Sequence, residues 1–157
     1  KDAAFDRDFS QRFAALHEQA AAGQLDDWKD SREGALALLI LFDQYPRNAF
    51  RNTPRAFATD DQALALAKDS IARGYDVETD EDMRLFFYLP LEHSEDLADQ
   101  ERSVELATAL SDKVLDYAME HRDIIRRFGR FPHRNPILGR ESTPEELAYI
   151  EAGGFAG

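Results

Sequence analysis

Apolar positions recur along this chain at helical spacing. Phe5, Phe9, Phe13 and Leu16 follow one another at intervals of four, four and three residues, which lays one apolar stripe along a first helix. Gly23 supplies its natural stop. Ser31, Glu33 and Gly34 open a second helix, and Ala35-Leu-Ala-Leu-Leu-Ile-Leu-Phe42 is apolar on every side, so this helix is predicted to be central and buried. Thr59 or Asp60 caps a third, which carries Leu64, Ala67 and Ile71 inward and closes at Gly74.

Thr79-Asp-Glu-Asp82 places acids in the first turn of a fourth helix, with Met83, Leu85, Phe86, Phe87 and Leu89 inward. Pro90 removes a hydrogen bond and is expected to kink or end it. A fifth helix runs through Val104, Leu106, Ala107 and Leu110. The sixth starts near Asp112, turns Val114, Tyr117, Ala118, Ile125 and Phe128 inward and stops at Gly129. Ser142-Thr-Pro-Glu-Glu146 is a start signal for the last: Thr143 as N-cap, Pro144 in the first turn and Glu146 closing a capping box. No stretch sustains the period-two alternation of a strand. The pattern therefore predicts one all-α domain over residues 1–157, about seven helices packed as antiparallel hairpins.

Composition narrows the classes. Apolar residues make up 43 % and charged residues 32 %, a globular balance. The longest apolar run, Ala35 to Phe42, is far shorter than the ~18–20 residues of a membrane span, so no membrane partner is expected; nothing resembles a secretory signal, and a cytoplasmic location is the expectation. The absence of cysteine removes disulfides, thiolate metal sites and thiol nucleophiles. A net charge of −12 argues against a nucleic-acid surface. The charge is uneven, however. Six arginines (Arg122, Arg126, Arg127, Arg130, Arg134 and Arg140) face one acid, Asp123, between His121 and Arg140. They read either as cations favoured at a helix end or as a pocket-sized anion site.

Several polar residues stand where they cost energy. Asp43 ends the most apolar helix, at the negative end of its dipole. Arg47 is the nearest partner, so Asp43 is either half of a buried clamp holding the Asp43-Gln-Tyr-Pro-Arg-Asn48 corner or a proton-transfer group. His121 lies on the apolar stripe of the sixth helix, four residues from Tyr117 and from Ile125; it is either a core histidine satisfied by one hydrogen bond or a ligand. Glu92-His-Ser-Glu-Asp96 follows Pro90; if helical, it puts Glu92 and Asp96 on one face, as an acid/base pair or as counterions for the arginines. The paired Glu-x-x-His pattern of a di-iron site is missing, so no metal site is assigned. No phosphate-binding glycine pattern occurs and no cofactor is expected. Phe128-Gly-Arg-Phe-Pro-His-Arg-Asn135 mixes donors with stiff spacers; Gly129 permits a left-handed turn.

Asp43-Gln-Tyr-Pro-Arg-Asn48, Arg55-Ala-Phe-Ala-Thr-Asp60, Tyr88-Leu-Pro-Leu-Glu-His-Ser-Glu-Asp96, Arg127-Phe-Gly-Arg-Phe-Pro-His-Arg-Asn135 and Gly139-Arg-Glu-Ser-Thr-Pro-Glu-Glu146 together resemble the signature blocks of a bacterial family, domain of unknown function nine hundred and twenty-four. The resemblance spans nearly the whole chain. It implies a tetratricopeptide-like helical fold and supplies no reaction. Members usually begin with a further helical segment, so a short piece before Lys1 is expected.

Two functions follow as expectations. One is a pocket for a small anionic molecule, phosphate- or carboxylate-bearing, with Asp43, Glu92, His93 and His133 as proton-transfer candidates. Arg47, Asn48, Arg51, Asp96, His121, Arg130, Arg134 and Asn135 are its ligand-binding candidates. The other is an interaction module whose groove accepts a peptide or protein partner. Convergence of these side chains on one concave site distinguishes the first.

Overall fold

The computed structural model describes the backbone of residues 3–156 and the side chains of residues 12–156. Helices account for the regular structure, and no strand occurs among the described residues. Helix α1 spans Ala3–Ala21. The Phe5 and Phe9 side chains lie outside the described residues; at the described end of α1, His17 and Ala20 are buried and Phe13 is 36 % exposed.

After a 3-10 turn over Asp26–Asp30, helix α2 covers Arg32–Leu39. Ser31 caps it by accepting the Gly34 N–H at 3.2 Å. Gly34 is required by contact: a Cβ there would stand 2.1 Å from the Trp28 carbonyl oxygen. The helix does not stop at Phe42. It widens into one π turn over Ile40–Gln44 and continues as α3, Tyr45–Ala49.

Four longer helices follow: α4 (Asp60–Ala72), α5 (Glu81–Glu92), α6 (Leu97–Ala107) and α7 (Asp112–Phe128). Each packs on the next in chain order. Helix α5 runs past Pro90 by two residues instead of ending there. The stretch 131–138 folds into a 3-10 turn and the single-turn α8 (Asn135–Leu138). Helix α9 (Pro144–Glu151) starts on a complete capping box, with Thr143 Oγ1 accepting from Glu146 N and Glu146 Oε2 accepting from Thr143 N.

Two apolar clusters carry the packing. One gathers Leu38, Leu39 and Phe42 against Ala63, Leu66, Ala67, Phe87 and Tyr88. The other is Ile124, Ile125 and Phe131, flanked by Phe128, Tyr149 and Phe155. Tyr117 and Met83, both expected inward, are 49 % and 37 % exposed. Helix α7 buries Ala118, His121, Ile124 and Ile125, a face that rotates Tyr117 outward. In α5 the buried residues begin at Phe87, so Met83 sits a turn before the packed section. No described helix is long and apolar enough to cross a membrane.

Candidate functional site

The site begins at a gap in backbone hydrogen bonding. Pro46 has no N–H, so the Phe42 carbonyl four residues earlier cannot receive its helical bond. In the π turn, Tyr45 N–H bonds to the Ile40 carbonyl, which skips that of Leu41. Two adjacent carbonyls are thus left over inside the fold. Both are filled from elsewhere: His17 Nδ1–H donates to Leu41 O at 3.0 Å, and the Thr59 hydroxyl donates to Phe42 O at 2.6 Å. With its hydroxyl diverted, Thr59 makes no side-chain cap on α4. The next residue of this turn is Asp43.

Asp43 is 2 % exposed and fully surrounded by donors. His93 Nδ1 lies 2.7 Å from its Oδ1, Arg47 stands 3.0 Å from the same oxygen, and Gln44 Nε2 donates to Oδ2 at 2.6 Å. Burial alone would push this carboxyl up; the charges and donors of His93, Arg47 and Gln44 overcome it and hold the group at about 2. Burial pushes the His93 imidazole down. At neutral pH the pair is therefore a carboxylate accepting Nδ1–H from a neutral imidazole. That bond leaves the second ring nitrogen, Nε2, as a proton acceptor, with no hydrogen bond to any described residue.

Arg47 also bridges to the start of α4, donating to both Asp60 oxygens at 2.8 and 3.0 Å. The clamp and the proton-transfer readings of Asp43 are thus physically compatible. Arg47 fixes the carboxylate, and the carboxylate orients an imidazole.

Arg134 approaches from the 3-10 turn after α7. Its guanidinium lies 4.8 Å from the Phe57 ring centre and 4.5 Å from that of Phe131. One nitrogen donates to the His93 carbonyl at 3.0 Å, another is 3.7 Å from Asp60, and Nε is buried without a partner. Burial first, and the nearby Arg47 charge second, lower this group to about 10, so it remains a cation. The other five arginines of the 121–140 stretch all have close acids. Arg122, Arg127, Arg130 and Arg140 meet Asp123, Glu145, Glu146 and Glu95 at 2.6–2.9 Å, and Arg126 pairs with Glu101. What reads as an anion site in sequence is mostly an ion-pair network. Arg134 is the exception.

Behind His93 lies a second layer. Glu92, the last residue of α5, is buried with His121 Nδ1 3.4 Å from its Oε1, while the same nitrogen donates to Tyr117 O at 2.8 Å. Burial, then the Asp43 charge, raise Glu92 to about 7. Burial lowers His121 to about 4 and, with Arg134, His133 to about 4. The rings of His121 and His133 both pack against Phe155, at 4.5 and 5.3 Å, and His133 Nδ1 has no partner.

Asp43, His93 and Arg134 line one cavity of about 330 Å³, together with Phe57, Asp60 and Asp61. Ser94 and Glu95 complete its polar wall, and Leu64, Pro90 and Leu138 its apolar one. The other sequence candidates lie outside this lining. Asn48 donates to the Gln44 carbonyl and accepts from the exposed Arg51. The Glu92–Asp96 stretch is a turn, so the two acids do not share a helix face; Asp96 is the N-cap of α6. Arg130 and Asn135 both bond Glu146 and lock α9 in place. Asp60, Phe57 and Glu95 belong to the site without having been singled out. Asp60 reads in sequence as an ordinary first-turn acid, and only its distant arginines make it more. No group of three or more histidines and carboxylates placed to hold a metal occurs among the described residues.

The arrangement defines an all-helical protein with a small polar cavity, one buried arginine and one carboxylate-oriented histidine. The chain belongs to the family of bacterial proteins of unknown function designated DUF924, whose model matches residues 1–154. It is similar to a solved structure of a protein of unknown function from Agrobacterium tumefaciens, at 52 % identity and a TM-score of 0.94, over 98 % of this chain and 87 % of that one. Comparison with curated proteins found no match.

Proposed function

We propose that the chain binds a small molecule bearing a carboxylate or phosphate group in this cavity, and that His93 exchanges a proton with it. The observation that carries the reading is Arg134, a buried cation on the cavity wall whose nearest carboxylate is 3.7 Å away. A buried charge without a close counter-charge is costly, and an anionic ligand supplies the missing partner. Beside it, ionised Asp43 holds His93 in the tautomer that accepts a proton at Nε2 and stabilises the imidazolium that results. Arg134 is placed to bind the anionic group or to stabilise negative charge developing next to that histidine.

The test is a thermal-shift titration with sodium phosphate and, separately, with 4-methylpentanoate, on the wild type and Arg134→Met. The wild type is expected to gain Tm with at least one probe. Arg134→Met is expected to lose that response while its own unliganded Tm stays equal or rises, because an apolar chain removes a poorly paired buried charge. Arg126→Met, at a surface ion pair, serves as control and keeps the response. A response that survives Arg134→Met removes Arg134 from the binding site and the reading with it.

A further inference from the structure

The charges around the cavity are not those of a site built for a simple anion. Four carboxylates line it, Asp43, Asp60, Asp61 and Glu95. Three arginines answer them: Arg47 holds Asp43 and Asp60, Arg140 holds Glu95 through two bonds at 2.7 and 3.0 Å, and Arg134 stands on the wall itself. One negative charge is left over, and His93 is neutral. Asp61 is where it resides, for this carboxylate has no hydrogen bond or ion pair to any described residue. A divalent anion would meet net repulsion there.

Arg134, 3.7 Å from Asp60, and Asp61, with no ion pair to any described residue, thus present opposite charges to one small space. Phe57, Leu64, Pro90 and Leu138 give the same cavity an apolar part. A volume of about 330 Å³ is near the lower end for ligand sites, which suits a compact molecule. We infer that the ligand is a zwitterion of amino-acid type with an apolar side chain, its carboxylate on Arg134 and its ammonium on Asp61. This rests on the carboxylate reading above and narrows it: the phosphate alternative drops out, and a second, cationic recognition point is assigned. Asp61 also lies in the first turn of α4, where an acid favours the helix dipole. That role predicts a small stability effect and no ligand selectivity, so the two are separable.

The experiment compares L-leucine with 4-methylpentanoate, which lacks the ammonium, and 3-methylbutylamine, which lacks the carboxylate. Dissociation constants are measured by calorimetry on the wild type and Asp61→Asn. Asp61 is exposed, so the variant is expected to fold. In the wild type L-leucine is expected to bind at least about tenfold more tightly than either analogue. Asp61→Asn is expected to bring L-leucine to the level of 4-methylpentanoate and to leave 4-methylpentanoate unchanged or slightly tighter. If 4-methylpentanoate matches L-leucine in the wild type, or Asp61→Asn does not weaken L-leucine, the zwitterion inference falls and the carboxylate reading stands. Binding of none of the three at millimolar concentration overturns the inference, and the phosphate titration then decides the broader reading alone.

Discussion

The Thr59 hydroxyl donates to the Phe42 carbonyl at 2.6 Å, filling the acceptor that Pro46, with no N–H, leaves open. Both residues are buried, so no water replaces that bond cheaply. Thr59→Val keeps the shape and removes the donor. It is expected to cost about 1–3 kcal/mol, read as a lower urea midpoint at unchanged m. Thr59→Ser keeps the donor and is expected to lose less. Equal midpoints for Thr59→Val and the wild type would show that the carbonyl does not depend on this hydroxyl.

Glu92 gives the fold an alkaline weakness. Its carboxyl sits at about 7 in the fold against 4.5 unfolded, so the folded chain holds the extra proton between these values. Stability from this group is complete below the unfolded value and is lost as pH rises through 7. Glu92→Gln, an isostere of the protonated acid, is expected to match the wild type below pH 4.5. At pH 8 it is expected to exceed it by up to about 3 kcal/mol. A constant difference between the two proteins across this range would contradict the assignment.

His121 gives the opposite dependence on the acid side. Its folded value of about 4 lies below the ordinary 6.5, so the unfolded chain takes up the proton first. The stability contribution is complete above 6.5 and is lost as pH falls toward 4. His121→Phe suits surroundings that already include Phe131 and Phe155. It is expected to flatten the decline of Tm between pH 6.5 and 4, with the remaining slope left to His93 and His133 and, in the opposite sense, to Glu92. An unchanged slope would show that His121 does not drive it.

Local chemistry was readable along the chain; the pairing of distant residues was not. The helices follow from spacing and caps, down to the Thr143–Glu146 box, because these signals act within a few residues. His121 stands out on its stripe, and Asp43 at the end of the apolar run, for the same reason. The arginine-rich stretch is equally visible, but Glu95, Glu101, Glu145 and Glu146, which neutralise most of it, arrive through tertiary packing. Asp60 becomes part of the site through Arg47, thirteen residues earlier in the chain, and through Arg134 on another element. Pro46 is plain in the sequence as a breaker. That the helix would widen, continue and borrow two donors is a property of the assembled fold.

The π turn has a consequence for how the site comes into being. A segment whose two open carbonyls are completed by His17 and Thr59 cannot reach its final form from its own residues. The turn that carries Asp43 takes one donor from α1 and one from the 50–59 connection. The site's carboxylate thus stands on a turn that two other segments complete. Local opening at either docked segment would remove a donor from the turn that carries Asp43.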